Sequence, residues 1–156
     1  MKALVVTVST RAASGYYEDR SGPVAAERLR AMGFDVAGPQ VVADGDPVEM
    51  ALRRAAEQGY DLVVTTGGTG LSPRDVTPEM TRRVVDREVP GLAEAIRRRG
   101  ADGGVPTAAL SRAVCGLAGQ TLVVNLPGST GGVRDGMTVL EAVLKHAVDQ
   151  LHGGDH

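Results

Sequence analysis

Hydrophobic residues along the chain fall into short continuous runs that alternate with longer amphipathic segments. Three runs, at residues 3–8, 34–42 and 61–66, are rich in Val, Leu and Thr and are too short for typical helices. Such runs are expected of strands that are buried on both faces of a parallel sheet. Pro39 interrupts the second run and favours an edge strand or a bulge, because proline cannot donate to a central ladder.

Amphipathic segments between and after these runs predict helices over about 21–32, 46–58, 91–99 and 136–151. Asp46 is predicted to be the N-cap of the second helix. Thr77, followed by Pro78, predicts the start of a further helix. Residues 9–22 and 100–106 are polar or glycine-rich and are predicted to be loops.

Residues 112–126 contain two apolar runs that flank Ala118-Gly119-Gln120, a pattern that predicts a tight hairpin. Strands that alternate with helices imply an α/β fold, with a mostly parallel sheet and helices on both faces. The hairpin is expected to add one antiparallel strand. The length of 156 residues suits a single domain over 1–156.

The composition narrows the expected partners and compartment. The 17 basic and 19 acidic residues give a net charge of −2, which offers no electrostatic reason to expect nucleic acid or an anionic membrane as a partner. Cys115 is the single cysteine, so an internal disulfide is excluded and a reducing compartment fits. No apolar run suits a signal peptide or a membrane span. We therefore expect a cytoplasmic protein, with Cys115 in the core rather than acting as a nucleophile.

Three loops follow predicted strands at their carboxyl ends, at residues 9–15, 67–77 and 127–132. Ligands in open α/β sheets bind beyond the carboxyl ends of the strands. Each of the three loops carries hydroxyl groups, glycines or both. We expect the loops to converge on one rim of the sheet and to form a pocket there.

The second of these loops begins with Gly67-Gly68-Thr69-Gly70. Glycines let the backbone approach a ligand and let successive N–H groups form an anion-binding concavity. The loop is neither a Walker A motif, since no Gly-Lys-Ser/Thr follows, nor a dinucleotide fingerprint, since Pro73 stands in place of the third glycine. The glycines alone leave both a phosphate loop and a turn without a ligand open.

The presence of Asp75 in the same loop favours a phosphate-binding loop over a turn without a ligand. A carboxylate repels a phosphate unless a cation lies between them, and Mg²⁺ prefers one or two carboxylates together with substrate phosphates. The alternative for Asp75 is that it caps the turn. Asp44, after the second strand, is another candidate ligand for a cation. However, residues 43–46 are of types that commonly form turns, and by themselves they favour a structural role for Asp44.

Residues 65–80, TTGGTGLSPRDVTPEM, resemble the signature of the Mog/MoaB family, the molybdopterin-binding domain of molybdenum cofactor biosynthesis. The family pattern G-G-T-G-x-x-x-R-D-x-T-P-E fits from Gly67 to Glu79. Residues 8–22, VSTRAASGYYEDRSG, resemble the first loop of the family, although Thr10 stands where the family usually has an aspartate. Residues 107–129, TAALSRAVCGLAGQTLVVNLPGS, resemble its hairpin, so the likeness covers nearly the whole chain.

This resemblance implies a three-layer α/β fold, a homotrimer and molybdopterin adenylyltransferase activity, in which AMP moves from ATP to the terminal phosphate of molybdopterin with Mg²⁺ present. It also implies that Asp44 and Asp75 are the catalytic and metal-binding residues. The candidate contacts to molybdopterin and ATP are Gly67, Gly68, Thr69, Gly70, Ser9, Arg11, Ser111, Pro127, Gly128 and Ser129. A molybdenum insertase is a candidate downstream partner.

Two alternatives remain open for this sequence. The same pocket could hold molybdopterin in a non-catalytic carrier or scaffold, although retention of both aspartates argues against this. The CinA-like nucleotide hydrolases have a similar domain, but their glycine loop typically reads G-G-L-G-P-T with a double aspartate after it. Arg74 and Asp75 occupy that position here and favour the Mog/MoaB family.

Overall fold

The computed structural model describes residues 1–155, whose strands form one six-stranded sheet. The strands are β1 (Lys2–Val8), β2 (Asp35–Val42), β3 (Leu62–Thr66), β4 (Arg87–Glu88), β5 (Cys115–Ala118) and β6 (Thr121–Leu126). They lie in the order β2-β1-β3-β6-β5-β4 across the sheet. The first four strands in this order are parallel, and β5 is antiparallel to both of its neighbours. The predicted mostly parallel sheet with one antiparallel hairpin strand is confirmed.

Helices cover both faces of the sheet. They are α1 (Thr10–Ala13), α2 (Ser21–Ala31), α3 (Asp46–Glu57), α4 (Thr77–Arg82), α5 (Pro90–Asp102), α6 (Thr130–Glu141) and α7 (Leu144–Leu151), with a 3₁₀ turn at Pro106–Leu110. Apolar residues of α2, α5, α6 and α7 pack on one face, and those of α3 and α4 pack on the other. The three-layer α/β fold is therefore confirmed. Within residues 1–155, none of the helices has the length and apolar character to span a membrane.

The burial of the strands explains why the sequence shows continuous apolar runs instead of alternation. Every residue of β3 and β6 is buried, and β1 is buried from Ala3 onward. Alternate side chains of β1 enter opposite cores: Val5 belongs to one cluster and Val6 to the other. Two covered faces leave no polar side for a central strand. By contrast β2 lies at the sheet edge, and its pairing with β1 shifts register near Pro39, as its proline predicted.

The carboxyl-terminal helix differs from the prediction. One helix was expected over 136–151, but the chain forms α6 and α7 with a break between Glu141 and Leu144. Helix α6 begins earlier, at Thr130, because the Ser129 hydroxyl accepts a hydrogen bond from Gly132 N at 3.0 Å and caps the helix. The loop after β6 therefore leads directly into a helix N-terminus.

Three shorter segments also differ from the prediction. Residues 9–22 contain α1, which Ser9 caps by accepting a hydrogen bond from Ala12 N at 3.1 Å. Gly45, with φ of 96°, precedes α3 without a side-chain cap, so the assignment of Asp46 as N-cap was wrong. Residues 100–106 are not one loop, because α5 continues to Asp102 and a 3₁₀ turn begins at Pro106.

Candidate functional site

The loops after β1, β3 and β6 leave the sheet at the same rim. The parallel register places Thr7 beside Thr66 and Thr66 beside Leu126 at the carboxyl ends of these strands. The chain passes from β1 to β2 on one side and then crosses to β3 on the other, so this rim lies at a topological switch point. The structure thus brings the three loops together, as their positions after the strands predicted.

Two adjoining cavities open at this rim and contain all the predicted site residues. The first, of about 700 Å³, is lined by Ser9, Arg11, Asp44, Gly67, Gly68, Asp75, Gly128 and Ser129. The second, of about 580 Å³, is lined by Thr69, Gly70, Ser111 and Pro127, and it shares Gly68, Asp75, Gly128 and Ser129 with the first. The structure therefore groups these residues, while their chemical roles stay predictions.

Thr77, at the start of α4, holds the first two carbonyl groups of the glycine loop. Its Oγ1 donates to Gly67 O at 3.0 Å, and its backbone N donates to Gly68 O at 3.1 Å. Thr77 is fully buried, so these contacts are shielded from water. The threonine of the T-P-E signature thus fixes the conformation of the loop, and Val76 rather than Thr77 is the N-cap of α4.

Arg112, which precedes β5, holds the next two carbonyl groups. Its backbone N donates to Thr69 O at 2.8 Å, and its Nε donates to Gly70 O at 2.9 Å. In a trans peptide the N–H points away from the carbonyl of the preceding residue. The N–H groups of residues 68–71 are therefore turned away from Thr77 and Arg112.

These four consecutive N–H groups have no hydrogen-bond acceptor within residues 1–155. Gly68 lines both cavities, and Thr69 and Gly70 line the second. A row of free backbone donors beside a cavity has the chemistry of an anion-binding loop. This feature, rather than the glycine content, supports a phosphate ligand.

The first two glycines of the loop are required by close packing as well. Gly67 has φ of 96°, and a Cβ there would lie 2.4 Å from the carbonyl oxygen of Val8. Gly68 has φ of 69°, and a Cβ there would lie 2.2 Å from Thr77 Oγ1. Both residues would have to be glycine even without a ligand, because the loop passes close to β1 and α4.

Asp44 and Asp75 lie in the first cavity; Asp44 is held by Thr10 at the start of α1, and Asp75 by its own loop. Asp44 Oδ2 accepts from Thr10 Oγ1 at 2.7 Å and from Thr10 N at 3.3 Å. Asp75 Oδ2 accepts from Ser72 N at 3.2 Å. The second oxygen of each carboxylate accepts no hydrogen bond from the described residues, so both aspartates keep a free oxygen.

This donor set fits Mg²⁺, a cation that takes oxygen ligands and is usually bound through one or two carboxylates, substrate phosphates and water. Asp19 also lines the first cavity, but its two oxygens already accept from Thr7 Oγ1 and from Gly22 N. In the part of the chain that is described, no group of three or more His, Cys, Asp or Glu residues could hold a metal. A magnesium ion here would therefore depend on ligands from a substrate.

Three arginines add positive charge to the first cavity. Arg11, Arg20 and Arg74 all line it. Within residues 1–155 none of their guanidinium groups forms an ion pair or a hydrogen bond. Unpaired guanidinium groups around a cavity favour an anionic ligand, because arginine matches the geometry of phosphate oxygens. Of these three arginines, only Arg11 was predicted from the sequence to make such contacts.

The second cavity has a different character. Its apolar wall consists of Ile96, Val105, Ala108 and Leu110. Asp135, on the second turn of α6, lines the same cavity, and no hydrogen bond or ion pair engages its carboxylate within residues 1–155. A cavity that combines apolar residues with a free carboxylate suits a flat heterocycle with N–H donors on one edge. Sequence reasoning missed Asp135, because α6 was expected to begin after it.

Arg112 and Asn125 are the other residues that the sequence analysis did not identify. Arg112 is held by contacts with residues 33 to 42 positions away in the chain, which no local pattern reveals. Asn125 is fully buried; its side chain accepts from Val114 N and donates to Thr65 Oγ1 and Thr81 Oγ1. An amide inside the apolar run of β6 is a signal that could have been noticed.

Cys115 lies in the core, as expected. It is buried in β5, and this burial raises the pKa of its thiol to about 12. A thiol with this pKa is neutral at physiological pH and therefore a poor nucleophile. The chemistry of the rim does not involve it.

A sequence model of the family described as "probable molybdopterin binding domain" matches residues 4–146. A molybdenum cofactor biosynthesis bifunctional protein of Synechococcus elongatus is 39% identical over 99% of this chain, which spans about half (48%) of that relative's length. A molybdopterin adenylyltransferase of Helicobacter pylori is 37% identical, with 96% of this chain and 86% of the relative covered. The solved structure of the molybdopterin biosynthesis Mog protein of Mycobacterium ulcerans is 57% identical with a TM-score of 0.92, covering 96% of this chain and 98% of that one.

Proposed function

Because this chain belongs to the family of molybdopterin-binding domains, we propose that it is a molybdopterin adenylyltransferase of molybdenum cofactor biosynthesis. The observation that carries the proposal is the row of free N–H groups at residues 68–71, beside two aspartates that each keep a free oxygen. Relatives of similar length that carry this activity in their names support it. A carrier would have less use for the two free carboxylate oxygens.

The proposed reaction transfers AMP from ATP to molybdopterin. An oxygen of the terminal molybdopterin phosphate attacks the α-phosphorus of ATP and forms a new P–O bond. The bond from that phosphorus to the oxygen that bridges to the β-phosphate breaks, and pyrophosphate leaves with this oxygen. A phosphate monoester is largely ionised at neutral pH, so the nucleophile needs no strong general base. This agrees with the lack of histidine in the three rim loops.

Both reactants are anionic, so the protein has to supply positioning and charge neutralisation. The N–H groups of residues 68–71 would orient the phosphates of ATP, with the Thr69 hydroxyl assisting. Arg11, Arg20 and Arg74 would offset the charge of the bound polyphosphate. Asp44 and Asp75 would hold Mg²⁺, which when bound offsets negative charge on the reacting phosphates.

The two cavities suggest a division of the substrates. The first cavity has the arginines and both aspartates, so we assign the polyphosphate to it, with phosphates that reach Gly68 at the shared wall and the N–H groups of Thr69 and Gly70 beside it in the second cavity. The second has the apolar wall and Asp135, so we assign the pterin to it. The pterin ring carries neighbouring N–H donors on its pyrimidine edge, which a carboxylate can accept together. Gly128 and Ser129 line both cavities and would lie near the junction, where the two reacting groups meet.

The proposal is tested by measuring pyrophosphate release and adenylylated molybdopterin with purified protein, molybdopterin, ATP and Mg²⁺. Replacing Asp44 or Asp75 by Asn removes the negative charge but keeps the size of the side chain. Each variant is expected to lose about 100-fold or more in turnover, a typical loss when one electrostatic contact to a transition state is removed. ATP binding should be affected less than transfer.

The matched control is Asp35→Asn, because Asp35 is an exposed aspartate at the beginning of β2, away from the rim. Its turnover should equal that of the unchanged protein. Unchanged turnover in Asp75→Asn would contradict the proposed role of Asp75. Tight binding of molybdopterin without any product would instead support a carrier or scaffold.

The assembly, the compartment and the downstream partner follow from the same proposal. We propose a homotrimer in the cytoplasm whose product passes to a molybdenum insertase. The support for assembly is a mostly apolar groove of about 720 Å³ that residues of α5, α7 and the β5–β6 hairpin line. The groove includes Leu92, Leu117, Val143 and Leu151, and Val143 is among the exposed large apolar side chains.

A further inference from the structure

We propose that Arg112 positions the glycine loop for anion binding, and that Glu79 orients Arg112 for this task. Arg112 acts through the backbone of the loop, so it is a positioning residue rather than a catalytic one. The inference rests on the proposed function in one respect, because it takes the phosphates of ATP to be the physiological anion. The part that concerns anion binding can be tested without the reaction.

Arg112 contacts three carbonyl groups of one loop. Besides the bonds to Thr69 O and Gly70 O, its Nη2 donates to Asp75 O at 2.5 Å. Its Nη1 donates to Glu79 Oε1 at 2.5 Å, and this ion pair is about 40% exposed, with 35% for Arg112 and 43% for Glu79. One side chain therefore ties together the beginning of the loop, the proposed metal-binding aspartate and the first turn of α4.

The carbonyl contacts determine which way the N–H groups face. Thr77 holds the carbonyls of Gly67 and Gly68, whereas Arg112 holds those of Thr69 and Gly70. If a peptide flips, an N–H group turns away from the phosphate and a carbonyl oxygen turns towards it. The resulting repulsion would weaken anion binding. Because each N–H opposes the preceding carbonyl, the backbone N–H of Arg112 controls the N–H group of Gly70, and the Arg112 side chain controls that of Leu71.

Lysine cannot replace arginine in this role. Arginine offers five donors in a rigid planar fork, and Arg112 directs three different nitrogens to its partners. Lysine has one compact ammonium group, so it cannot reach Gly70 O, Asp75 O and Glu79 in the same arrangement. The Arg112→Lys variant therefore keeps the charge of the residue but loses the geometry.

The test compares Arg112→Lys and Glu79→Gln with the unchanged protein and with Arg28→Lys as a matched control. Arg28 also forms an ion pair with a glutamate, since its Nε donates to Glu141 Oε1, but it joins α2 to α6 away from the loop. The affinity for pyrophosphate is measured by calorimetry and the melting temperature by circular dichroism. We expect Arg112→Lys to bind pyrophosphate about tenfold more weakly, since hydrogen bonds to a charged group are lost or misdirected. Glu79→Gln should show a smaller loss, and Arg28→Lys none.

A second readout separates positioning from general stability. Addition of pyrophosphate to ¹⁵N-labelled protein should shift the amide signals of Gly68, Thr69, Gly70 and Leu71. In Arg112→Lys the shift of Leu71 should be lost, whereas those of Gly68, Thr69 and Gly70 should remain, because Thr77 and the backbone N–H of residue 112 still hold the carbonyl groups that precede them. A purely structural role would change all four signals together or none of them.

Several outcomes would overturn the inference. One is pyrophosphate affinity in Arg112→Lys equal to that of the unchanged protein, and another is an unchanged protein that does not bind pyrophosphate at all. If Arg112→Lys does not fold, unchanged affinity in Glu79→Gln has the same meaning. Failure of the proposed function looks different, because the unchanged protein would bind pyrophosphate and respond to the Arg112 variants but would form no adenylylated molybdopterin.

Discussion

At the scale of single residues, Thr10 shows how this chain holds a proposed metal-binding aspartate. The Thr10 hydroxyl donates to Asp44 Oδ2 at 2.7 Å and accepts from Asp44 N at 3.1 Å. Members of the Mog/MoaB family, which the sequence resembles, usually have an aspartate at this position. Threonine gives Asp44 a neutral donor in place of a second negative charge. The position therefore serves here to fix the orientation of the Asp44 carboxylate.

The contact between Thr10 and Asp44 should affect the affinity for Mg²⁺. Replacing Thr10 by Val keeps the shape of the side chain but removes the hydroxyl group, so the Asp44 carboxylate should become mobile. Groups that orient a metal ligand typically affect metal affinity by about tenfold or more. We therefore expect the Mg²⁺ concentration that gives half-maximal transfer to rise by about tenfold in Thr10→Val. The measurement is the initial rate of pyrophosphate release across a magnesium titration.

The control is Thr10→Ser, which keeps the hydroxyl group and should require nearly the same magnesium concentration as the unchanged protein. Mn²⁺ binding, measured by calorimetry in the presence of ATP, provides a second test that does not rely on turnover. The affinity for Mn²⁺ should be nearly equal in the unchanged protein and Thr10→Ser, and weaker in Thr10→Val. Equal magnesium requirements in Thr10→Val and Thr10→Ser would show that the hydrogen bond to Asp44 has no role in metal binding.

At the scale of elements, the turn from β3 into the glycine loop is the most constrained connection of the rim. Gly67 combines a positive φ with close approach to the backbone of β1. Replacing Gly67 by Ala should cost about 1–2 kcal/mol for the left-handed conformation, and a further ~1–3 kcal/mol because backbone of a central strand has to move. We expect the free energy of unfolding, measured in urea, to fall by more than about 2 kcal/mol.

Gly119, in the β5–β6 hairpin, is the matched control for Gly67→Ala. It also has a positive φ, of 60°, but a Cβ there would have no neighbour within 4 Å. The Gly119→Ala variant should therefore lose only the conformational part, about 1 kcal/mol. If both variants lost the same stability, the close contact between Gly67 and Val8 would not be a source of strain.

The comparison of sequence and structure is also clearest at this scale. The buried strands could be predicted because two covered faces require continuous apolar residues. The start of α6 could not, because Gly131, Gly132 and Gly136 lower the local helix propensity. Tertiary packing overrides this: a Cβ at Gly136 would lie 2.5 Å from Leu126 Cδ2, so the glycine lets α6 lie close to β6. Such a contact is invisible in a local pattern.

The site was predictable to a similar extent. The loops at the rim and the residues that line its cavities could be located from their positions after the strands and from the family signature. The residues that arrange the loop could not, because Arg112 and Thr77 act on carbonyl groups that only the fold brings near them. The sequence therefore identifies the residues that line the cavities, but not the hydrogen bonds that fix the conformation of the glycine loop.

At the scale of the whole molecule, a near balance of charge coexists with a group of unpaired arginines at the rim. The net charge of the chain is only −2, yet the first cavity contains three unpaired guanidinium groups. Asp19, Asp44 and Asp75 line the same cavity and balance these charges, so the chain has no electrostatic reason to bind a long polyanion. This agrees with the expectation that nucleic acid is not a partner, which stays a prediction.

The apolar groove is the whole-molecule feature that leads to the last prediction. Val143, 39% exposed, lies in this groove, next to the half-buried Ala147 of α7 and Leu92 of α5. If copies of the chain associate there, a lysine at position 143 would bury a charge at the interface, which is costly. We expect the unchanged protein to sediment with three times the mass of one chain, and Val143→Lys to sediment with a lower mass.

The control for this experiment is Met50→Lys, because Met50 is an apolar residue of α3 with 51% exposure and lies on the opposite face of the sheet. It adds the same charge but should leave the sedimenting mass unchanged. Melting temperatures should show that both variants are folded, because each changed side chain is exposed.

A trimer that survives Val143→Lys would place the interface elsewhere on the molecule, whereas an unchanged protein with the mass of one chain would contradict the homotrimer itself. Residues of a single chain line both cavities, and a loss of assembly without a loss of transfer would further show that the adenylyl-transfer site does not depend on neighbouring copies.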